Sequence, residues 1–425
     1  MITAIIVIFI IGYLFIAIEH SVGINKAASA LLTGVVLWVV YTLSSATTGD
    51  QHHIAEALTE NLGEISGILF FLMGAMTIVE LIDAHDGFEI VTKLIKTKSI
   101  LKLAWIISLL SFFLSAALDN LTTAIVMTSL VRKIIPESET RLKYIGLIVI
   151  SSNAGGAWSP IGDVTTTMLW IGGQITAGGI ISILILPSLI CLIVPLLLIS
   201  PSLKGNLPNN PMKTSIKTNH GLGIERNIVF YSGIGVLLFV PVFKTITHLP
   251  PFMGILFGVG ILWIVTSLLH KKKNEEEKSI YSVMHALEKI DTSSILFFLG
   301  ILLSISVLQN TGLLNQMAQS FNETLGNERS IAVCLGLISA VVDNVPLVAA
   351  SIGMYSLEQY PTDHTFWELL AFTTGTGGSA LIIGSAAGVA VMGLEKITFM
   401  WYLKKMSWLA LAGFAAGVGT VILLH

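Results

Sequence analysis

Apolar runs of about 17–25 residues recur along the whole chain, and each is long enough to cross ~30 Å of hydrocarbon as a helix. Inside hydrocarbon no water pairs with the backbone, so each run must satisfy its own N–H and C=O groups, which a helix does. The composition agrees: 54% of the 425 residues are apolar and only 12% charged, where a soluble domain carries roughly 25% charge. The expectation is an all-α polytopic membrane protein with ten transmembrane helices. Five spans are predicted near 2–19, 26–43, 64–82, 144–170 and 176–200, and five near 227–244, 251–270, 292–309, 368–392 and 405–424. Residues 2–18 lack the basic start and the small-residue cleavage site of a signal peptide, so they are read as a span. Cys191 and Cys334 lie within apolar runs and read as small packing residues, with no disulfide or metal framework. The net charge of -3 says little, because charge is sorted by loop.

Two apolar segments remain, 100–131 and 330–354. Each carries an Asp-Asn pair near its middle, Asp119-Asn120 and Asp343-Asn344. A carboxylate at the centre of a membrane helix costs about 2.5–3.5 kcal/mol on insertion scales, so a chain that places two there in matching surroundings has a use for them. Loop charges say how these segments run. Lys93, Lys96, Lys98 and Lys102 precede the first, and Arg132, Lys133, Arg141 and Lys143 follow it. Basic loops face the cytoplasm, so both ends of 100–131 lie on that side and the segment is a re-entrant hairpin. The second segment is flanked by Glu323, Glu328, Glu358 and Asp363 against a single Arg329, and should enter from outside. This arrangement leaves only Lys244 and Arg329 of the 23 Lys and Arg outside, with both termini outward.

The halves match. ILFFLMG at 68–74 parallels ILFFLG at 295–300, the Asp-Asn pairs are 224 residues apart, and SSNAGGAWSPIGDV at 151–164 aligns with TTGTGGSALIIGSA at 373–386. Five spans per half is odd, so the second half is inverted relative to the first, an arrangement common in secondary transporters. Residues 1–200 form the first inverted repeat, 201–226 a cytoplasmic linker, and 227–425 the second repeat. The charged stretch KKKNEEEK at 271–278 is a solvated loop, and nothing points to nucleic acid.

The glycines and proline of SSNAGGAWSPIGDVTTT interrupt the span 144–170, giving a broken helix near the midplane. Unwound backbone is tolerated there only where it lines a cavity or is buried in protein. Freed carbonyls, with Asn153, Ser159, Asp163 and Thr165, offer oxygen ligands for a hard cation such as Na+ or Li+. The second break offers Thr374, Thr376 and Ser385 but no carboxylate, so Asp163 is answered by Ser385. The bland readings are that these Asp residues cap helices or hairpin tips, that Thr122, Thr123 and Thr165 tie helices together, and that Gly155 and Gly377 permit close packing. Glu64 and Glu80, near the ends of their span, are candidates for proton access, and His20, His52, His53, His85 and His248 for a pH sensor. No Lys or Arg falls inside any span or hairpin core, but three Asp do, which suits a cation rather than an anion. A carboxylate can hold H+ or Na+ but poorly both, and competition for one site couples the two fluxes in opposite directions.

ALDNLTTA, SSNAGGAWSPIGDVTT, VVDNVP and FFLMGAMTIVELIDAHDGF at 70–88 resemble the NhaD-type sodium/proton antiporters, over nearly the whole chain. These belong to the ion transporter superfamily, with arsenite exporters and dicarboxylate carriers. The resemblance implies no enzyme activity and no cofactor. It implies a homodimer in a bacterial inner membrane, exporting Na+ or Li+ in exchange for protons by elevator-type alternating access. By motif it implies a site at Asp119, Asn120, Thr122, Asn153, Asp163, Thr165, Asp343 and Asn344, with the ion at Asp119, Asn153, Asp163 and Asp343. Dicarboxylate carriers typically carry Ser-Asn-Thr at the hairpin tips, which this chain lacks. Arsenite exporters share the Asp-Asn pairs and remain the alternative, with a non-transporting membrane subunit behind them.

Overall fold

The computed structural model describes residues 2–17, 19–45, 51–92, 97–135, 137–206, 220–271 and 273–424. Half of the expected linker, 207–219, lies outside the described residues, as do Lys93, Lys96 and Lys272 and the side chains of His20, His52 and His53. Among the described residues the chain is helical without a strand, apart from an isolated Ser99–Asn206 bridge.

The chain runs through α1 (Ile2–Ala17), α2 (Glu19–Val22), α3 (Lys26–Ser45), α4 (Gln51–Ala84), α5 (Glu89–Thr92), α6 (Ile100–Leu118), α7 (Asn120–Ile134), α8 (Ser138–Ala157), α9 (Val164–Ile171) and α10 (Ala177–Ile199). It continues through α11 (His220–Thr247), α12 (Pro251–Leu269), α13 (Glu275–Ile280), α14 (Val283–Lys289), α15 (Thr292–Asn310) and α16 (Leu313–Leu325). The last helices are α17 (Glu328–Ile338), α18 (Asn344–Met354), α19 (Thr365–Gly377), α20 (Ala386–Glu395), α21 (Phe399–Lys405) and α22 (Ser407–Leu424).

Eight described helices are long and apolar enough to cross a membrane: α3, α4, α6, α10, α11, α12, α15 and α22. Seven coincide with predicted spans. The eighth, α6, is the first arm of the segment read as a hairpin. The predicted spans 144–170 and 368–392 are not continuous helices but the pairs α8–α9 and α19–α20, each interrupted at its Gly-rich stretch. Exposed apolar side chains such as Leu32, Leu43, Ile246, Ile264 and Leu268 stud the outer faces of α3, α11 and α12, as hydrocarbon contact requires.

The helices pack in two groups. In one, α3 packs on α1 and α15, α4 on α12 and α15, and α11 on α12. In the other, α6 packs on α8 and α7, α7 on α20, α10 on α22 and α8, and α17 on α19. Helix α18 touches both, against α15 on one side and α9 and α19 on the other. Segment 100–131 does reverse: α6 and α7 lie against each other, turning at Asp119, whose φ is 101°. That backbone region is unusual for a residue with a side chain. Asp119 is held in it by its own carboxylate, which accepts from the Thr122 N–H at 2.7 Å and the Thr122 hydroxyl at 2.9 Å.

Candidate ion-binding site

Four helices start at one place. Asp119 caps α7, Asp163 caps α9, Asp343 caps α18 and Ser385 caps α20, each accepting from a backbone N–H of the first turn. Asp and Ser are preferred caps because a side-chain oxygen satisfies an N–H that the helix leaves unpaired. The helix start also carries partial positive charge, which favours a carboxylate. The bland reading of the three Asp as caps is therefore correct as far as it goes. It does not account for the oxygens that remain.

Asp163 is the hub, 2% exposed. Its Oδ1 accepts from the Thr165 N–H at 2.9 Å and the Thr165 hydroxyl at 3.0 Å, which fixes α9. Its Oδ2 accepts from the Asn120 carboxamide at 2.6 Å and from that of Asn344 at 3.5 Å. The two Asn belong to the two Asp-Asn turns, so both turns meet at one carboxylate. Asn120 also donates to Asn153 Oδ1 at 3.1 Å, and Asn153 in turn donates to Ser379 at 2.9 Å and to Ser385 at 3.0 Å. One buried polar network thus joins both turns and both breaks.

Packing around the breaks is matched between the halves. A Cβ on Gly155 would lie 2.1 Å from the Phe112 carbonyl oxygen, and one on Gly377 would lie 2.0 Å from that of Gly336. Only glycine lets α8 approach α6, and α19 approach α17, this closely. Ser115 donates to the Ser152 carbonyl and Ser339 to that of Thr374, the same bond in each half. Ser159 donates to the Ala116 carbonyl at 2.5 Å, tying the first break to the α6 arm.

Asp119, Asn120, Asp163 and Asp343 line a common cavity of about 50 Å³. A cavity needs only about 10–15 Å³ of such space to hold a water, so there is room for a small ion with part of its hydration. Asn344, Thr122, Thr165, Asn153 and Ser385 stand behind this lining in the network. Thr374 and Thr376 are buried, but their hydroxyls donate to the Leu370 and Phe372 carbonyls of their own helix. On α4 the cavity is lined by Phe71, Leu72, Ala75 and Met76; exposed Glu64 and half-buried Glu80 lie to either side of that stretch.

Two residues escaped the sequence reading. Ser379 lies within the second break and binds Asn153, and its place in a Gly-Gly-Ser turn was the available signal. Lys26, read as a cytoplasmic charge at the start of its span, lines the cavity and sets its ammonium 3.5 Å from Asp343 Oδ2. No Lys or Arg lies within a hairpin core in sequence, but the Lys26 side chain reaches the second hairpin's turn from α3. Span assignment places Lys26 at a helix start but does not say that this start lies beside the α17–α18 turn.

A family model described as a citrate transporter, CitMHS, matches residues 13–377. Sodium/proton antiporter 1 of Arabidopsis thaliana is 48% identical over 98% of this chain and 72% of its own length. Sodium/proton antiporter 2 of the same plant is 47% identical over 98% of both. The Na(+)/H(+) antiporter NhaD of Vibrio cholerae is 31% identical over 94% of this chain and 87% of its own. The chain belongs to the NhaD-type sodium/proton antiporter family, within CitMHS. Like other NhaD-type chains it is a multi-pass membrane transporter and not an enzyme. The YdaH transporter of Alcanivorax borkumensis shares the fold alone, with a TM-score of 0.60 and 10% identity over 93% of this chain and 98% of that one. The plant relatives are more similar than the bacterial one, so the comparison does not support assigning this chain to a bacterial inner membrane.

Proposed function

We propose that this NhaD-type protein exchanges Na+ or Li+ for H+, with the ion and the proton competing for the carboxylates of Asp119, Asp163 and Asp343. The observation that carries the reading is Asp163 Oδ2, buried and approached by the carboxamides of both Asp-Asn turns, at a cavity of about 50 Å³. A carboxylate cluster with room for one small ion fits an alkali cation. It fits citrate poorly, since three carboxylates lining the cavity would repel a trianion. Asn120, Asn153, Asn344, Thr122, Thr165 and Ser385 hold the carboxylates in register, and Ser159 holds the break.

In this reading ten spans and two re-entrant hairpins form two inverted repeats, with both termini outward. The group built on α3, α4, α12 and α15 is a scaffold and the group built on α6–α10 and α17–α22 carries the site past it, with α18 sliding on α15. The matched Gly155 and Gly377 contacts support the repeat. The dimer rests on family resemblance.

Cation-induced proton movement in proteoliposomes tests the function. Na+ or Li+ should dissipate an imposed proton gradient and choline should not. Arsenite resistance conferred by the chain, with no response to Na+, would replace this reading with the arsenite exporter.

A further inference from the structure

We propose that Lys26 is a tethered cation that occupies Asp343 when the ion site is empty, so that an incoming alkali ion must displace an ammonium group. The inference rests on the cation-exchange reading above and adds a residue that sets its affinity.

The geometry is particular. Lys26 is the first residue of α3, and its backbone N–H is fixed by Glu19 Oε1 at 3.2 Å. Its side chain crosses the Phe297 ring of α15, with the ammonium 4.4 Å from the ring centroid. It ends 3.5 Å from Asp343 Oδ2. Oδ1 of the same carboxylate accepts from the Val345 N–H at 3.3 Å. The ammonium therefore faces the oxygen that the helix cap leaves open, on a carboxylate that lines the cavity.

Distance and surroundings argue for displacement rather than permanent clamping. A charge-assisted N–H···O bond closes to about 2.7–2.9 Å, and this pair stands wider. Both side chains are about one-fifth exposed, so the pair is neither sealed nor freely solvated. The Phe297 face attracts the ammonium as well, so Asp343 is not its sole partner there. Among the described residues neither Asp119 nor Asp163 is paired with a basic side chain, so the competition is confined to one of the three carboxylates. The pair also joins the α3 group to α18, so it links ion occupancy to the contact between the two helix groups.

The test compares Lys26→Gln and Lys26→Arg with the parent in proteoliposomes. Removing a competitor that is about one-fifth exposed should lower the half-saturation for Na+ by about fivefold, or roughly 1 kcal/mol, with the maximal rate little changed. Lys26→Arg should restore most of the parent value. A purely structural Lys26 would instead lower yield or rate and leave half-saturation alone, and that result in a correctly inserted Lys26→Gln overturns the proposal. If Lys26→Gln does not accumulate, modification of Lys26 by an amine-reactive reagent is measured on the parent protein by mass spectrometry. Na+ should speed it several-fold over choline; equal rates overturn the proposal. A parent protein that moves no protons in response to Na+ fails the exchange reading itself, whatever the variants do.

Discussion

Asp163→Asn separates the structural from the chemical work of the central carboxylate. The substitution keeps shape and the Oδ1 bonds to Thr165. It turns Oδ2 into an N–H₂ group that faces two donors, Asn120 at 2.6 Å and Asn344 at 3.5 Å. A hydrogen bond to a charged group contributes about 1.5–3 kcal/mol. The network can recover part of this. Asn120 can rotate its carboxamide if Asn153 rotates too, and the Ser379 and Ser385 hydroxyls can donate where they now accept. The net stability loss should be about 2 kcal/mol, enough to lower thermal resistance in detergent but not to prevent insertion. Transport should fail far more completely. The ion loses a formal charge and the exchanger loses a group that can carry a proton, so no pH restores exchange. The assay is Na+-induced proton movement in proteoliposomes from neutral to alkaline pH, with membrane content checked in parallel. An inserted Asp163→Asn protein that still exchanges with the parent's pH dependence would refute the role of Asp163.

Other outcomes follow from the same geometry. Ser385→Ala removes one acceptor of Asn153 and the cap of α20 while leaving every carboxylate, so Na+ half-saturation should rise several-fold with exchange retained; effects of Asp163→Asn and Ser385→Ala that are equal and mild would contradict the asymmetry. If H+ and Na+ share the site, half-saturation for Na+ should weaken about tenfold per pH unit for each proton displaced, below the pKa of the titrating group. A constant half-saturation with a changing rate would point to a separate gate. Gly155→Ala and Gly377→Ala each drive a methyl into a carbonyl oxygen and should destabilise by about 1–3 kcal/mol, read as lost thermal resistance in detergent; tolerance of both would contradict the close helix approach. The α4–α12 end carries a pH-dependent stability term. His85 donates from Nδ1 to the Leu81 carbonyl at 2.7 Å, its Nε2 is buried without a partner, and burial holds its pKa down at about 4. The unfolded chain binds this proton more readily than the folded one, so the contribution is complete above an ordinary His pKa near 6.5 and is lost as pH falls from there toward about 4. Thermal denaturation of parent and His85→Gln over that range should diverge; parallel curves would reject it.

The sequence alone determined the class, the helix content and the residues worth suspecting. A run of apolar residues long enough for hydrocarbon has few ways to fold, and a carboxylate within it is expensive enough to be informative. The Gly-rich breaks were legible for the same reason: a glycine-proline stretch between apolar runs cannot hold a continuous helix, and the span pairs did separate there. What the sequence did not determine was which oxygens point where. Thr374 and Thr376 looked like ligands because they lie in the second break, yet each bonds its own helix, because a hydroxyl inside a helix can turn back to the preceding carbonyl. Lys26 read as a cytoplasmic charge at the start of a span. Only the packing of α3 along α15, and of α15 against α18, brings it to Asp343. Contacts between helices far apart in the chain are set by which faces interlock, and no local pattern of residues carries that information.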